Sequence, residues 1–564
     1  MTVTNLRPQL AQHLRQRLEA FGEGFRHNLA LLGPPGSGKT FQLQQLMAPS
    51  SSVLIVYCPL FRESARSFLR RFLCAIVQAA GPLEGALPAP PLLRFAKQNV
   101  RGQAGTAAGR IADVREEPAR APAELSLELL LQRAEPRLPK TVAAIRNIEP
   151  LLGRRLYGEA FSRTLDTIPV LVQECARPCV LMLDEFLFLE ELGLVHAFHE
   201  LGKRVMTWPK TLFILSSSSV HRAKTILRER LQLLFGQFEL LTLDLVDADQ
   251  AAAWIRQELR GIRGAKAMSP FLTQWLGDYP WYLVVFLRRL RELATLDQRA
   301  EVTEALFLQT AWDLLGSAGG TLHQWCSSRV DDLSRGRVGA RALEALIQIA
   351  CGARTMTDLG KRIGRGGLSE TLQLLAEHDL AQRNGTCWMV PDPILRCWVS
   401  TVLLAQRSHA HPDGADVRHR VEENLRTRWA EWMRTTQLSF PDQVTALFGK
   451  FCDDTVSLDS KTGRLPKFQT IATHPLDPAA EAVYLVAEGQ GKRWCASVQA
   501  TPIGEGAIAE FDAFCRAQNP KPSRKVVVGK AGLEENARLL AKAVNMWVWE
   551  GEDLNILMGL YGQV

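Results

Sequence analysis

The most constraining feature of this chain is the segment GPPGSGKT at residues 33–40, which matches the pattern G-x-x-x-x-G-K-[ST] in full. It follows the apolar run HNLALL, a predicted buried strand, and precedes TFQLQQLM, the predicted start of a helix. Glycines allow such a loop to curl so that its N–H groups face phosphate oxygens, and the helix N-terminus adds a favourable dipole. The segment therefore predicts a phosphate site at a strand–loop–helix junction of an α/β fold.

The residue types in this loop have separate expected roles. Lys39 is expected to reach the β- and γ-phosphates and to act in catalysis, and Thr40 to ligate Mg²⁺ through its hydroxyl. These roles predict ATP and Mg²⁺ as cofactors. The alternative is a chance match in a glycine-rich turn, and the flanking strand and helix patterns argue against it. The predicted nucleotide-binding residues of the loop are Gly33, Pro34, Pro35, Gly36, Ser37, Gly38, Lys39, Thr40 and Phe41.

A second apolar run, CVLML at residues 179–183, has the length of a central parallel strand and ends in Asp184 and Glu185. Asp184 is expected to hold the Mg²⁺ shell, and Glu185 to orient and deprotonate an attacking water. A strand that ends in two acidic residues at a helix N-cap is common. The presence of a phosphate loop in the same chain favours the catalytic interpretation.

Two further runs complete a predicted parallel sheet. KTLFILSSSS ends in four serines, Ser216 to Ser219, of which Ser216 and Ser217 are predicted to sense the γ-phosphate and the water. SSVLIVYCPL is another buried strand, and a helix-like segment follows it. Strands that alternate with helices indicate a three-layer α/β fold.

The segments LLGPPGSGKT, LMLDEF, LFILSSSS and GDYPWYL together resemble the prokaryotic ATPase family first described largely in Archaea, a member of the STAND branch of the AAA-like P-loop ATPases. The resemblance implies that Gly277 and Pro280, in a helical lid, lie near the adenine. The segment NLRPQLAQHL is similar to the R-x-x-E-L entry segment of that family, with Gln9 at the usual acidic position.

One position departs from the family pattern. Gln237 stands where the family usually has an arginine, so the resemblance implies slow hydrolysis or the use of another basic residue. The nearby candidates are Arg222, Arg228 and Arg230. Residues 85–165 are rich in Ala, Arg and Pro at first and then helical in pattern, which predicts a surface insertion. The arginines of this insertion either form a basic rim on the surface or belong to a solvated linker.

A pattern of three helices and a hairpin begins at residue 340. The hairpin alternates about Asn384-Gly385, a strong turn signal, so a winged helix-turn-helix is predicted. The following PDPILRCWV resembles the D-P-x-x-R-x-W segment of the same family. The exposed face of the third helix carries Glu370 and Glu377, which oppose DNA phosphates. The resemblance to STAND proteins implies an alternative, in which this domain folds back as a nucleotide-dependent latch, so DNA binding and a latch both stay open. The candidate DNA-contacting residues are Lys361, Arg362, Arg365 and Arg383.

The C-terminal segments run hairpin, helix, strand, helix, strand, helix, and this order resembles the restriction-endonuclease-like fold. Active members carry an Asp on the first hairpin strand and Glu-x-Lys on the second. Here Ser497 and Gln499 stand in the Glu-x-Lys positions and Tyr484 or a neighbour stands for the Asp. Since these side chains cannot hold Mg²⁺, cleavage is not expected. Glu510 is a candidate migrated carboxylate, but an isolated helical Glu is usually solvated.

Composition adds only broad limits. The chain has 564 residues, and 67 Lys and Arg exceed 59 Asp and Glu, which permits nucleic acid as a partner without demanding it. The eleven cysteines are scattered and show no paired CxxC pattern, so they predict no metal site. His196 and His199 are three residues apart on a predicted helix, and no metal site is assigned to them either. The predicted domains are an ATPase core at 1–265, a helical lid at 266–337, a winged helix at 338–405, linker helices at 406–440 and a nuclease-like domain at 441–564.

The predicted function is an ATP-binding and ATP-hydrolysing switch that couples nucleotide state to DNA binding or to assembly with partner proteins or further copies of the chain. No signal segment or membrane span is present in the sequence, so a cytoplasmic location is expected. Two alternatives remain, an ATP-regulated nuclease and a protein-binding adaptor ATPase of a phage-defence or transposition system.

Overall fold

The computed structural model divides the chain into two units, Met1–Asp244 and Leu245–Val564, which are described separately. No helix of the described residues is long and apolar enough to cross a membrane. The described residues are 7–47, 52–81, 121–229, 238–243, 246, 248–277, 279–296, 301–331, 333, 336–408, 414–436, 438–458, 461–477 and 481–561.

The first unit is built on a five-stranded parallel sheet with the order β2-β3-β4-β1-β5. Alternate residues of β1 enter two different cores: Leu29 and Leu31 pack on one face, and Ala30 and Leu32 on the other. Both faces of the sheet are covered, which explains why the central strands are continuous apolar runs. The predicted three-layer α/β fold is confirmed. The strands are β1 (Asn28–Leu32), β2 (Leu54–Pro59), β3 (Cys179–Asp184), β4 (Thr211–Ser217) and β5 (Phe238–Thr242).

The helices of this unit surround the sheet, and α3 begins where the Ser64 hydroxyl accepts a hydrogen bond from the Ser67 N–H. The predicted insertion is helical from residue 121 onward, and its earlier part, up to residue 120, lies outside the described residues. The helices are α1 (Pro8–Gly22), α2 (Lys39–Gln45), α3 (Ala65–Gln78), α4 (Ala121–Ala134), α5 (Pro139–Arg146), α6 (Glu149–Gly153), α7 (Tyr157–Cys175), α8 (Ala197–Thr207) and α9 (Val220–Glu229).

The order of the strands in the sheet determines which residues lie next to each other at the candidate site. Since β4 lies between β1 and β3, its last residues lie between the end of β1, which enters the phosphate loop, and the end of β3, which carries the acidic pair. Leu32 is in register with Ser217, and Leu183 with Leu215. The carboxyl ends of parallel strands form the usual binding edge of such a sheet.

The second unit begins with a helical part, held by a buried polar cluster. Asp392 accepts hydrogen bonds from the Tyr282 hydroxyl at 2.6 Å and from the Arg329 guanidinium at 2.6 Å. Trp398 contacts the buried His323 through its ring N–H at 3.2 Å. The helices are α10 (Ala248–Glu258), α11 (Ala265–Leu276), α12 (Pro280–Leu296), α13 (Glu304–Ala311) and α14 (Thr321–Asp331), with a π-helical turn at Trp312–Gly316.

Three helices and an antiparallel hairpin follow, in the order that the sequence predicts. The second helix, α16, starts at a capping box in which the Thr355 hydroxyl and the Asp358 carboxylate bond to each other's backbone N–H. Gly385 turns the hairpin with φ of 60°. The elements are α15 (Gly336–Ala350), α16 (Met356–Ile363), α17 (Leu368–Glu377), β6 (Gln382–Asn384) and β7 (Cys387–Met389), and then α18 (Pro393–Trp398), a π-helical turn (Val399–Leu403), α19 (Leu404–Ser408), α20 (Gly414–Thr436) and α21 (Phe440–Gly449).

The chain ends in a five-stranded sheet with the order β10-β11-β12-β13-β14, in which β10, β11 and β12 are antiparallel and β12, β13 and β14 are parallel. The hairpin and the alternating helices and strands occur as predicted, whereas β8, β9 and β10 were not predicted. The elements are β8 (Asp454–Leu458), β9 (Lys461–Leu465), β10 (Thr470–Asp477), β11 (Ala482–Gly489), β12 (Lys492–Gln499), α22 (Glu505–Ala517), β13 (Arg524–Gly529), α23 (Glu535–Ala543), β14 (Trp547–Glu550) and α24 (Glu552–Tyr561).

The turn of the β6–β7 hairpin is hydrogen-bonded to β8. The Asn384 amide donates to the Ser457 carbonyl at 3.1 Å and accepts from the Ser457 N–H at 2.7 Å. The Thr386 N–H donates to the Thr455 carbonyl at 2.8 Å, and the Thr386 hydroxyl accepts from the Thr455 N–H at 3.0 Å. β8 pairs with β9 in a separate two-stranded sheet, so the hairpin packs against that sheet rather than projecting freely.

Replacing Gly385 with Ala should destabilise this junction. A Cβ at Gly385 would lie 2.1 Å from the Thr455 carbonyl oxygen, and φ of 60° costs an L-residue roughly 1–2 kcal/mol. Gly491→Ala is the matched control, because Gly491 also turns a hairpin with φ of 71° but has no atom within 4 Å of its Cβ position. Thermal unfolding should show a larger loss for Gly385→Ala, and equal losses would contradict a sterically closed junction.

Candidate functional site

The phosphate loop leaves β1 and curls with two glycines in the left-handed region, Gly36 at φ of 80° and Gly38 at φ of 93°. Gly33 is packed closely, since a Cβ there would lie 2.8 Å from the Leu243 carbonyl oxygen. Its N–H donates to the Ser217 carbonyl at 3.3 Å, which ties the loop to β4. The loop thus joins β1 to α2, which begins at Lys39, in the strand–loop–helix order that the sequence predicts.

Lys39 lies inside the loop and is only 4% exposed. Its ammonium donates to the Gly33 carbonyl at 2.8 Å and to the Pro34 carbonyl at 3.1 Å, and it lies 4.0 Å from a Glu185 carboxylate oxygen. Burial is the main cause that lowers the pKa of Lys39, and the positive charge of Arg7 adds to the effect. A cation in this position is stabilised by an anionic ligand.

Asp184 is 3% exposed and accepts hydrogen bonds from three hydroxyl groups. Thr40 donates to its Oδ2 at 2.7 Å, Tyr57 donates to the same oxygen at 3.0 Å, and Ser216 donates to Oδ1. Burial, followed by the Asp184 charge, raises the pKa of the Tyr57 phenol, which therefore stays a donor. A hydroxyl and a carboxylate in direct contact at the loop are the hard oxygen donors that Mg²⁺ requires, so these residues fit the cofactor.

Glu185 follows with a left-handed backbone at φ of 58° and is held by β4 and the segment after it. Its own N–H donates to the Ser216 hydroxyl at 3.2 Å, and its Oε2 accepts from the Ser218 N–H at 2.8 Å. The Ser218 hydroxyl donates to Oε1. Burial is the main cause that raises the pKa of Glu185, in the direction that makes a carboxylate a better proton acceptor.

The serines after β4 contact different residues of the site. Ser216 reaches Asp184, and Ser218 reaches Glu185, whereas the Ser217 hydroxyl accepts from the Ser219 N–H at 3.1 Å. The sensor role of Ser216 and Ser217 stays a prediction. Ser218 and Tyr57 were missed, although the period of two along an extended chain places Ser216 and Ser218 on one side.

The other predicted nucleotide contacts are distributed over both units. Pro34, Pro35 and Phe41 are half-buried in the loop and the first turn of α2. Pro280 starts α12 in the second unit, where a Cβ on Gly277 would lie 2.4 Å from the Pro393 ring. The adenine contact stays a prediction.

The arginine candidates have different surroundings. Arg222 forms an ion pair with Glu190, and Arg228 is exposed on α9. Arg230 and Gln237 lie outside the described residues.

The candidate DNA-contacting residues are exposed, but Glu370 and Glu377, whose charges would repel DNA phosphates, are exposed as well. Arg362 donates to the Gln348 side chain at 3.0 Å, and Arg383 donates to the Gly385 carbonyl at 2.9 Å. Glu377 is exposed on α17 and accepts from Gln373 at 3.2 Å. The four basic residues, all with exposed side chains, are Lys361, Arg362, Arg365 and Arg383.

In the C-terminal sheet, Tyr484 is in register with Ser497, so the two positions compared in the sequence do face each other across the hairpin. The Tyr484 ring packs on Phe514 with centroids 4.5 Å apart, and Glu510 is exposed on the neighbouring helix. Among the described residues, no group of three His, Cys, Asp or Glu side chains is placed to hold a metal ion.

Comparison with known proteins gives no family assignment. No family model matches the sequence, and no curated protein matches it. Similar solved structures include a Walker-type ATPase of Pyrococcus abyssi (14% identity, covering 70% of this chain and 95% of that chain, TM-score 0.43). The ORC2 protein of Aeropyrum pernix matches at 15% identity over 76% of this chain and 96% of that chain, with a TM-score of 0.39.

The RuvB Holliday junction branch migration motor of Thermotoga maritima matches at 13% identity over 68% of this chain and 91% of that chain, with a TM-score of 0.30. TM-scores this low leave the family open, so the class rests on the geometry of the chain itself. A parallel sheet with a glycine-rich loop before α2, a buried Lys39 and a Thr40–Asp184 contact defines a P-loop α/β fold.

Proposed function

We propose that the protein is an ATP-binding and ATP-hydrolysing P-loop switch that uses Mg²⁺. The observation that carries this proposal is the meeting of three groups from two parts of the chain: Lys39 at the end of the loop, Asp184 at the end of β3 against Thr40, and Glu185 directly after it. Such a constellation supplies a cation for phosphate, oxygen donors for a metal and a base for water.

Each residue has a distinct task in this proposal. Lys39 exchanges its bonds to the Gly33 and Pro34 carbonyls for phosphate oxygens, so the loop does not need to refold. Thr40 and Asp184 would hold Mg²⁺, which neutralises phosphate charge when bound. Once its carboxylate is released from Ser218, Glu185 orients a water molecule and accepts a proton from that water.

Replacing Lys39 with Ala should weaken ATP and ADP binding. Hydrogen bonds to charged groups contribute about 1.5–3 kcal/mol each, which corresponds to a loss of roughly 10- to 150-fold in affinity. Titration of a fluorescent ADP analogue measures the change. Lys203→Ala on the exposed surface of α8 is the control. Nucleotide affinity that is equal in Lys39→Ala and wild type would rule out the loop as the binding site.

For the output, we propose that α15–α17 with the β6–β7 hairpin is a winged helix and that the C-terminal sheet is a restriction-endonuclease-like domain without its chemistry. The hairpin turn is bonded to β8 through Asn384 and Thr386, so it is not available to enter a groove. DNA contact is therefore proposed for the exposed cations at the end of α16, Lys361, Arg362 and Arg365, rather than for Arg383.

Double-stranded DNA retardation over a range of salt concentrations tests this output. Combined replacement of Lys361, Arg362 and Arg365 with Ala should weaken binding and reduce the slope of log affinity against log salt by roughly 3. The control replaces Lys467, Lys492 and Lys521, which are exposed in the C-terminal part. A shift only in the control would move the contact to the C-terminal sheet. No retardation at any salt concentration would favour a partner-binding adaptor, and Mg²⁺-dependent cutting would restore the nuclease alternative.

A further inference from the structure

Tyr57 is a buried residue that contacts the proposed metal site and has no role in the function proposed above. It lies on β2, in register with Met182, two residues before Asp184 on the neighbouring strand. Its side chain therefore reaches along the sheet to the carboxyl end of β3. The residue is 9% exposed, and its hydroxyl donates to Asp184 Oδ2 at 3.0 Å.

The number of acceptor positions on Asp184 gives this contact its significance. A carboxylate has about four lone-pair sites. Thr40 and Tyr57 occupy two on Oδ2, and Ser216 occupies one on Oδ1, so three separate elements fix the carboxylate in one orientation. Of these donors, Thr40 comes from α2 and Ser216 from β4. Tyr57 alone comes from the outer strand β2.

The phenol and the Thr40 hydroxyl share an acceptor. Both donate to Asp184 Oδ2, Thr40 at 2.7 Å and Tyr57 at 3.0 Å. Tyr57 therefore lies directly beside the two oxygen donors of the proposed metal site.

We propose that Tyr57 is a positioning residue that pre-orients Asp184 and thereby sets the affinity of the site for a divalent cation. The proposal rests on the proposed function, since it assumes that Thr40 and Asp184 hold Mg²⁺. Partners that orient metal-ligating carboxylates typically change metal affinity or activity 10- to 100-fold when they are removed. Tyr57 does not need to touch the nucleotide or the metal for this effect.

Tyr57→Phe tests the proposal, because it removes one hydroxyl and keeps the buried ring. A fluorescent ADP analogue is titrated in EDTA and at rising MgCl₂, and Mn²⁺ binding with ADP is followed by electron paramagnetic resonance. We expect an unchanged ADP affinity in EDTA and a metal affinity lowered by about tenfold or more. Tyr157→Phe, a half-buried tyrosine at the start of α7, is the matched control.

The outcomes separate this proposal from the function on which it rests. A wild type without metal-dependent ADP binding would overturn both. A wild type with such binding and a Tyr57→Phe variant with equal or tighter metal affinity would overturn the role of Tyr57 alone. A fall in thermal stability without a shift in metal affinity would assign Tyr57 to packing.

Discussion

Glu185→Gln is expected to reduce ATP hydrolysis roughly 100- to 10,000-fold, the usual contribution of a positioned general base, while ADP affinity stays near that of wild type. Gln has nearly the shape of Glu and keeps an oxygen that accepts from the Ser218 N–H, but it cannot take a proton from water. Single-turnover hydrolysis with Mg²⁺ measures the chemical step separately from product release. Double-stranded DNA is added in parallel, since stimulation in wild type that disappears in the variant would couple DNA to the same site.

Glu190→Gln is the matched control for this experiment. Glu190 is the last residue of the short helical turn Phe186–Glu190 that directly follows Glu185, and it pairs with Arg222. It should leave the chemical step unchanged unless Arg222 has the catalytic role considered above, in which case both variants lose activity. Hydrolysis that is unaffected by Glu185→Gln would show that another group activates the water and would remove the catalytic role proposed for Glu185.

The parts of the fold that the sequence predicts are those with local signals. The phosphate loop has fixed spacing, β1, β3 and β4 are continuous apolar runs, and Asn384-Gly385 marks a hairpin. The site residues Lys39, Asp184 and Glu185 could be named because each directly precedes or follows such an element. Their meeting then follows from the parallel sheet, whose carboxyl ends lie on one edge.

The parts that the sequence does not predict depend on pairings between distant segments. Tyr57 has the pattern of an ordinary core residue on β2, and its contact with Asp184 depends on the register of two neighbouring strands. The bonds between Asn384 and Ser457 join residues 73 positions apart. The short strand β8 has half-exposed alternation and no partner signal in the sequence. No local pattern encodes such contacts.

In the second unit, we expect a large effect on stability from replacing the buried Asp392. Asp392 caps α18 through the N–H groups of Ile394 and Leu395, and it also accepts from Tyr282 and Arg329. The Asp392 side chain is only 4% exposed, and the Arg329 side chain is 13% exposed. Asp392→Asn would leave the Arg329 guanidinium buried without a counter-charge. Removing one partner of such a pair costs about 3–5 kcal/mol.

Hydrogen exchange followed by mass spectrometry should detect this loss in peptides that cover Pro393–Trp398 and the turn Val399–Leu403. Exchange through unfolding of the segment should be faster by roughly two to nearly four orders of magnitude, since 1.36 kcal/mol corresponds to a factor of ten. The control is Asp313→Asn. Asp313 pairs with Arg289 in the same unit, but both side chains are about 30% exposed, and such pairs contribute about 0–1 kcal/mol.

A double variant separates the pair from the capping role of Asp392. Adding Arg329→Met to Asp392→Asn removes the buried charge that the single variant leaves unpaired, so exchange should slow again toward the wild-type rate. Additive losses in the double variant would show that the cap and the Tyr282 bond, rather than the charge pair, carry the stability.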